Sequence, residues 1–237
     1  MTQDHSHSAN RLLSSLPEIE YQRLEPHLFP VKLSVGTIFY EALEKIETVY
    51  FPETALISLV STLENGATTE IGIVGGTGIV GLSVCLGSGY SKHRAIVQVA
   101  DGALKISAHI LKQEFERGGE LQRVLLRYTE TRLDEVSQIA VCNAHHIIEE
   151  RLARWLLTVQ DLIQSDELPL TQQFLSNMLG VRRSGVTVSA GTLQKAGLIC
   201  YSRGKIKILD RQRLEDTACE CYQLFHDHYI GIDCSPP

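Results

Sequence analysis

Several absences narrow what this chain can be. No apolar run approaches the roughly 18 residues that a membrane-spanning helix needs, and the polar start MTQDHSHSAN lacks the apolar core of a signal peptide. A cytoplasmic location is the expectation. Cysteine is too sparse for a disulfide scaffold, six in 237 residues, so reduced thiols are expected. Histidine is scarce where it would matter for a β-barrel metal oxygenase, since the β-rich region offers only His93 before His109. Without a close histidine pair and a carboxylate on barrel strands, no enzyme is expected. The His5-Ser6-His7 stretch reads as a solvated tail. Convincing repeats and low-complexity tracts are also missing, and 43% apolar composition suits two globular domains, each with its own core.

Positive charge is scarce overall but concentrated in one place. The net charge is −6, yet Arg182 to Arg213 holds eight Lys or Arg against one acid, Asp210. That stretch carries +7 and leaves −13 elsewhere. A basic stretch in an acidic protein suits phosphate binding, because Lys and Arg displace the counterions condensed on a nucleic-acid duplex.

The same region reads as two short helices and a tight turn. Thr171 can cap a first helix whose apolar positions Phe174, Leu175, Met178 and Leu179 recur at helical spacing, and Gly180 can take the left-handed conformation that ends it. Val186, Ala190 and Leu193 then fall on one stripe of a second helix, leaving Arg182, Arg183, Ser184, Thr187 and Val188 for the other side and the helix start. Local propensity opposes this second helix, because Gly185, Val186, Thr187, Val188, Gly191 and Thr192 are mediocre or poor helix formers. Beyond it, an Arg203-Gly204 turn between short β-prone runs looks like a hairpin wing carrying Arg203 and Lys205.

Leu170, Thr171, Leu175, Leu179, Gly180, Arg183, Val186, Leu193, Gly197, Leu198 and Ile199 together resemble the helix-turn-helix of the Crp/Fnr family of bacterial transcription regulators. It is this resemblance that assigns the second helix. It implies an α+β chain with an N-terminal β jelly roll, a long dimerisation helix and a C-terminal winged helix-turn-helix. The expected bounds are 11–119 for a cyclic-nucleotide-binding-like β-roll, 120–145 for the dimerisation helix and 146–237 for the DNA-binding domain. The implied partners are double-stranded DNA, a second copy of the chain and, by family analogy alone, RNA polymerase.

The rest of the sequence fits that frame. Residues 10–28 read as short helices, followed by β-rich runs at Val31–Tyr40, Thr48–Pro52, Leu56–Leu63, Thr69–Val74, Ile79–Leu86, Ala95–Val99 and Ala103–Ile106. Asn65-Gly66 is a hairpin signal, and many short strands at near-regular spacing suit a sandwich or jelly roll. From Glu120 the period turns helical and carries two apolar stripes. Leu126, Leu133, Val136, Ala140 and Ile147 lie near one seam, with Leu125, Tyr128, Ile139 and Cys142 beside it. Two stripes imply two partners, the chain's own β-roll and a twin helix, with Thr129 and Asn143 placed to fix register. A break is expected around Ala144-His145-His146. The next helix, with Arg151, Leu152, Ala153, Trp155 and Leu156, resembles the first helix of the family's C-terminal domain.

The resemblance also says where an effector would sit. Cyclic-nucleotide-binding members use a Gly-Glu pair for the ribose and an Arg-Ser or Arg-Thr pair for the phosphate. Gly81 and Arg94 match, but Leu82 stands where the acid belongs and Ala95 where the hydroxyl belongs. Ser137 is a further pocket candidate. The effector is therefore not expected to be cyclic AMP. An iron-sulphur cluster is not expected either, because no cysteine precedes Cys85. Cys219, Cys221, His226, His228 and Cys234 gather soft ligand types near the C-terminus, but C-x-C followed by H-x-H is not a standard zinc pattern. On a helix Cys219 and Cys221 would point about 200° apart. Packing of a terminal helix is the expectation there, with no metal and no cofactor. The alternative reading is a ligand-binding or redox- or metal-sensing module acting through protein partners. Val188 favours it, since many family members have Arg at that position.

Overall fold

Two short helices open the computed structural model, which describes residues 8–230: α1 (Arg11–Ser14) and α2 (Glu18–Leu24), followed by a 3-10 turn at Glu25–His27. Asn10 caps α1 and its buried side-chain amide donates to Pro52 O (2.7 Å) and Gly78 O (2.9 Å), tying the helix to the β-region. Seven strands follow: β1 (Phe29–Lys32), β2 (Ile38–Tyr40), β3 (Thr48–Pro52), β4 (Leu56–Thr62), β5 (Thr68–Val74), β6 (Arg94–Val99) and β7 (Gly102–Ser107). They form two antiparallel layers, one ordered β1-β7-β3 and the other β2-β6-β4-β5. This is the expected jelly roll, and its core holds Val49, Phe51, Ile57, Val97 and Ile106, each at most 1% exposed.

Two of the expected strands differ. The run Val31–Tyr40 is split into β1 and β2 by a turn in which Gly36 takes φ +82°. The run Ile79–Leu86 is not a strand. It makes one bridge, Val80 to Tyr50, and then a 3-10 turn at Leu82–Val84 opened by Gly81 at φ +107°. A Cβ on Gly81 would stand 3.0 Å from the Tyr40 hydroxyl and 3.1 Å from Val49, so both the conformation and the space favour glycine there.

Helix α3 (Ala108–Glu116) buries Ala108, Leu111 and Phe115 and is an addition to the elements expected from the sequence. The long helix α4 (Glu120–His145) starts on a carboxylate cap, with Glu20 accepting from the backbone N–H groups of Glu120 (2.9 Å) and Leu121 (2.8 Å). Of its two stripes, Leu125, Tyr128 and Cys142 are buried, whereas Leu126, Leu133 and Val136 are 48%, 65% and 46% exposed. After a short break come α5 (Ile148–Ile163), β8 (Glu167–Leu168), α6 (Gln172–Leu179), α7 (Arg183–Lys195), β9 (Ile199–Ser202), β10 (Lys205–Ile208), α8 (Arg211–Thr217) and α9 (Cys221–Ile230). The last three strands form a small sheet ordered β8-β10-β9.

The chain divides into two compact units at different places from the expected bounds. One unit holds the residues up to Ser61 with Gly72–Leu133, and the other holds Thr62–Ile71 with the described chain from Asp134 onward. The outer half of the β4–β5 hairpin thus belongs with the C-terminal unit. There Glu70, 7% exposed, accepts a 2.7 Å hydrogen bond from the Trp155 indole N–H, which satisfies both buried groups.

Candidate nucleic-acid interface

Helix α6 begins and ends where its sequence dictates. The Thr171 hydroxyl accepts from Phe174 N–H at 3.1 Å, and Gly180 closes the helix at φ +62°, ψ +34°. Leu175, Met178 and Leu179 are buried, and the buried Arg151 guanidinium on α5 donates to the Leu179 carbonyl, one of the carbonyls left open at the helix end. Burial pushes the Arg151 pKa down, so the same desolvation that makes this residue costly ties it to that carbonyl.

Helix α7 forms despite its two glycines because packing overrides propensity. Val186, Ala190 and Leu193 are at most 2% exposed, and a Cβ on Gly185 would lie 3.0 Å from Ile148 on α5. Glycine allows the two helices to approach this closely. Opposite the buried stripe, Arg183, Ser184, Thr187 and Val188 are exposed, as is Arg182 at the N-cap. Gln172, which no sequence pattern singles out, accepts from Arg183 Nε and from the Thr187 hydroxyl, both at 3.3 Å, and so orients the two outward side chains. Its place in the first turn of α6 is legible in the sequence, but its partners lie 11 and 15 residues away.

The wing is a two-residue hairpin between β9 and β10. Arg203 (φ +49°) and Gly204 (φ +78°) both adopt positive φ, as the twist-matched turn requires, and Arg203 and Lys205 are exposed at its tip. The basic stretch is not uniform. Arg211 is consumed internally, bonded to Asp161 (2.8 Å), Glu215 (2.8 Å), Gln160 (2.7 Å) and the Tyr222 hydroxyl (2.6 Å). Arg213 faces Asp210 at 3.9 Å. Arg182, Arg183, Lys195, Arg203, Lys205 and Lys207 are all exposed and form no ion pair among the described residues.

The effector candidates separate. Gly81 and Leu82 line a cavity of about 220 Å³ together with Tyr40, Ser91, His93, Tyr128 and Arg132. Burial lowers the His93 pKa, which favours its neutral form. Arg94 does not line the cavity and is paired with Glu41 at 2.8 Å. Ala95 is fully buried in β6, and Ser137 is exposed on α4 in the other compact unit. Within the N-terminal unit, Gly81 and Leu82 thus line a cavity whose lining does not include Arg94 or Ala95. Of the soft-ligand residues, His226 packs its ring on Tyr222 at 5.7 Å between centroids, while His5, His7 and Cys234 lie outside the described residues, as does the side chain of His228.

Two layers of β-roll, a long helix and a winged helix-turn-helix make up the described chain. Residues 150–217 match the family model of the Crp-like helix-turn-helix domain. The fold is shared with a putative transcriptional regulator of the Crp/Fnr family from Eubacterium rectale, which is 20% identical and matches 88% of this chain and 98% of its own at a TM-score of 0.71. FixK2 from Bradyrhizobium japonicum matches with 18% identity, 81% and 98% coverage and a TM-score of 0.68. The c-di-GMP-responsive regulator CLP from Xanthomonas campestris matches with 16% identity, 81% and 99% coverage and a TM-score of 0.64. Curated proteins compared by sequence gave no match. The chain thus carries a Crp-like helix-turn-helix domain at residues 150–217, within a fold shared with solved structures of Crp/Fnr-family regulators. Among the described residues, no helix is long and apolar enough to cross a membrane.

Proposed function

We propose that the chain is a homodimeric, sequence-specific DNA-binding transcription regulator whose effector is not cyclic AMP. The observation that carries this reading is the juxtaposition of the outward face of α7, bearing Arg183, Ser184, Thr187 and Val188, with six exposed cations in a protein of net charge −6. Arg183 supplies a two-donor fork for a guanine edge, and Arg203 and Lys205 on the wing supply phosphate contacts. The exposed stripe Leu126, Leu133 and Val136 on α4 supports a twin-helix seam, which sets two recognition helices on paired half-sites about 34–36 Å apart. Contact with RNA polymerase enters by family analogy, and no catalytic step is part of this reading.

The cavity of about 220 Å³ beside Gly81 and Leu82 has no carboxylate in its lining for a ribose, which supports an effector other than a cyclic nucleotide. Val188, 69% exposed, is the residue that favours the alternative of action through a protein partner. Selection of bound sites from random duplex DNA with the full chain tests the proposal. An enriched two-fold-symmetric sequence is the expected result. Failure to enrich any sequence would reject specific DNA reading and leave the protein-partner alternative.

A further inference from the structure

The last turn of α4 and the segment between α8 and α9 bring four soft ligand atoms together. Cys142 and His146 stand at i and i+4 on one face of the helix end, while Cys219 lies in the non-helical link and Cys221 is the first residue of α9. The Sγ atoms of Cys142 and Cys219 are 3.6 Å apart, the Cys221 Sγ lies 3.6 Å from His146 Nδ1, and all four atoms fall within 4.8 Å of one another. The three cysteines are at most 5% exposed. The sequence-based objection to a C-x-C pair disappears, because Cys219 is outside the helix and the two thiols are not held about 200° apart.

A tetrahedral zinc ion with Zn–S near 2.3 Å and Zn–N near 2.05 Å has edges of about 3.8 Å between two sulfurs and about 3.6 Å between sulfur and nitrogen. The Cys142–Cys219 and Cys221–His146 separations match those edges, and the other pairs lie within 4.8 Å. They are too short for an iron-sulphur cubane, whose four thiolates sit on four different irons and stand farther apart. His146 Nε2 is 3.1 Å from a Glu220 carboxylate oxygen, an arrangement that leaves Nδ1 facing the other ligands and raises its basicity. Gln138 donates to the Cys221 sulfur at 3.0 Å. The buried Arg151 and Arg154 act electrostatically on Cys142, offsetting the single net negative charge of Zn²⁺ with three thiolates and a neutral imidazole.

We infer that Cys142, His146, Cys219 and Cys221 form a structural zinc site that clamps the end of α4 to the segment leading into α9. Four protein ligands leave no open position, so the site is closed and not catalytic. Binding joins residues 77 apart in sequence, and the thiol protons leave to solvent as the metal enters.

Metal analysis of the purified full chain tests this directly. One zinc per chain that survives dialysis is expected, and cobalt substitution should give the charge-transfer and d–d bands of a tetrahedral thiolate site. Cys142→Ser, Cys219→Ser and Cys221→Ser should each lose the metal, whereas Cys200→Ser should keep it. Should the buried cysteine variants fold poorly, Glu220→Gln provides a second measure. Its side chain is 79% exposed, and loss of the carboxylate partner should weaken zinc about 10- to 100-fold in competition with a chromophoric chelator. A reduced wild-type chain that binds neither zinc nor cobalt at stoichiometric concentration would overturn the inference. So would a chain isolated with a Cys142–Cys219 disulfide that takes up no metal after reduction, or a folded Cys142→Ser variant that still holds one zinc per chain.

Discussion

Replacing Arg183 by alanine separates reading DNA from holding the fold together. The side chain is exposed, its described hydrogen-bond partner is Gln172 at 3.3 Å, and it forms no ion pair among the described residues, so stability should shift by no more than about 0.5 kcal/mol. A bidentate contact to guanine is worth about 1 to 3 kcal/mol of discrimination. In the proposed dimer, two half-sites double this to about 2 to 6 kcal/mol, or about 30- to 20,000-fold in affinity for the selected operator. On scrambled duplex the same variant should show only the modest effect of removing one charge per half-site. Fluorescence anisotropy with the two duplexes at matched salt measures the ratio. Arg211→Ala is the counterpart, because Arg211 is spent on Asp161, Glu215, Gln160 and Tyr222. It should lower the unfolding midpoint and leave the specificity ratio almost unchanged. An equal loss on operator and scrambled DNA for Arg183→Ala would refute its base-reading role.

Other perturbations have distinct signatures. Arg203→Ala and Lys205→Ala should weaken all sequences alike and reduce the slope of log affinity against log salt by about 0.9 for each phosphate no longer neutralised; an unchanged slope would remove the wing from the interface. Leu133→Asp places a charge on the exposed α4 stripe and should split the dimer in sedimentation experiments, with DNA affinity falling in step; a wild-type chain that is monomeric at micromolar concentration would sink the twin-helix reading. Cyclic AMP and cyclic GMP should give no saturable heat below millimolar concentration. Leu82 and Ala95 leave ribose and phosphate each short of a partner at about 1 to 3 kcal/mol apiece, and Arg94 is engaged by Glu41; micromolar binding abolished by Arg94→Ala would reverse this.

What is legible in the sequence is local. Thr171 and Gly180 delimit α6 through bonds and dihedrals confined to neighbouring residues, and both stand where expected. The two stripes of α4 also separate cleanly, with Leu125 and Tyr128 buried and Leu126 and Leu133 exposed, because helical periodicity is a property of the segment itself. Non-local packing decides the rest. Gly185 reads as a helix breaker until Ile148 is found 3.0 Å from its Cβ position. The apolar run Ile79–Leu86 reads as a strand, but the positive φ of Gly81 turns the chain into a 3-10 helix. Arg94 matches a phosphate ligand by position, and its actual partner, Glu41, is 53 residues away.

The C-terminal cysteines show why spacing rules fail when a site is shared between elements. Spacing alone groups Cys219 and Cys221 with His226, yet the His226 ring packs at a tilt against Tyr222 while Cys219 meets Cys142. Each half of the cluster nevertheless has its own local mark. Cys142 and His146 stand one helical turn apart, the spacing that places two ligands on one face. Helix α8 ends at Thr217, and Ala218 adopts the extended conformation with ψ +152°, which frees Cys219 from helical geometry before α9 begins. The pair at the end of α4 and the pair at the start of α9 can each place two ligands, and neither completes a tetrahedron alone. Only the fold sets them at the 3.6 Å separations that a single small ion bridges, so the two halves become a site through tertiary contact and not through sequence proximity.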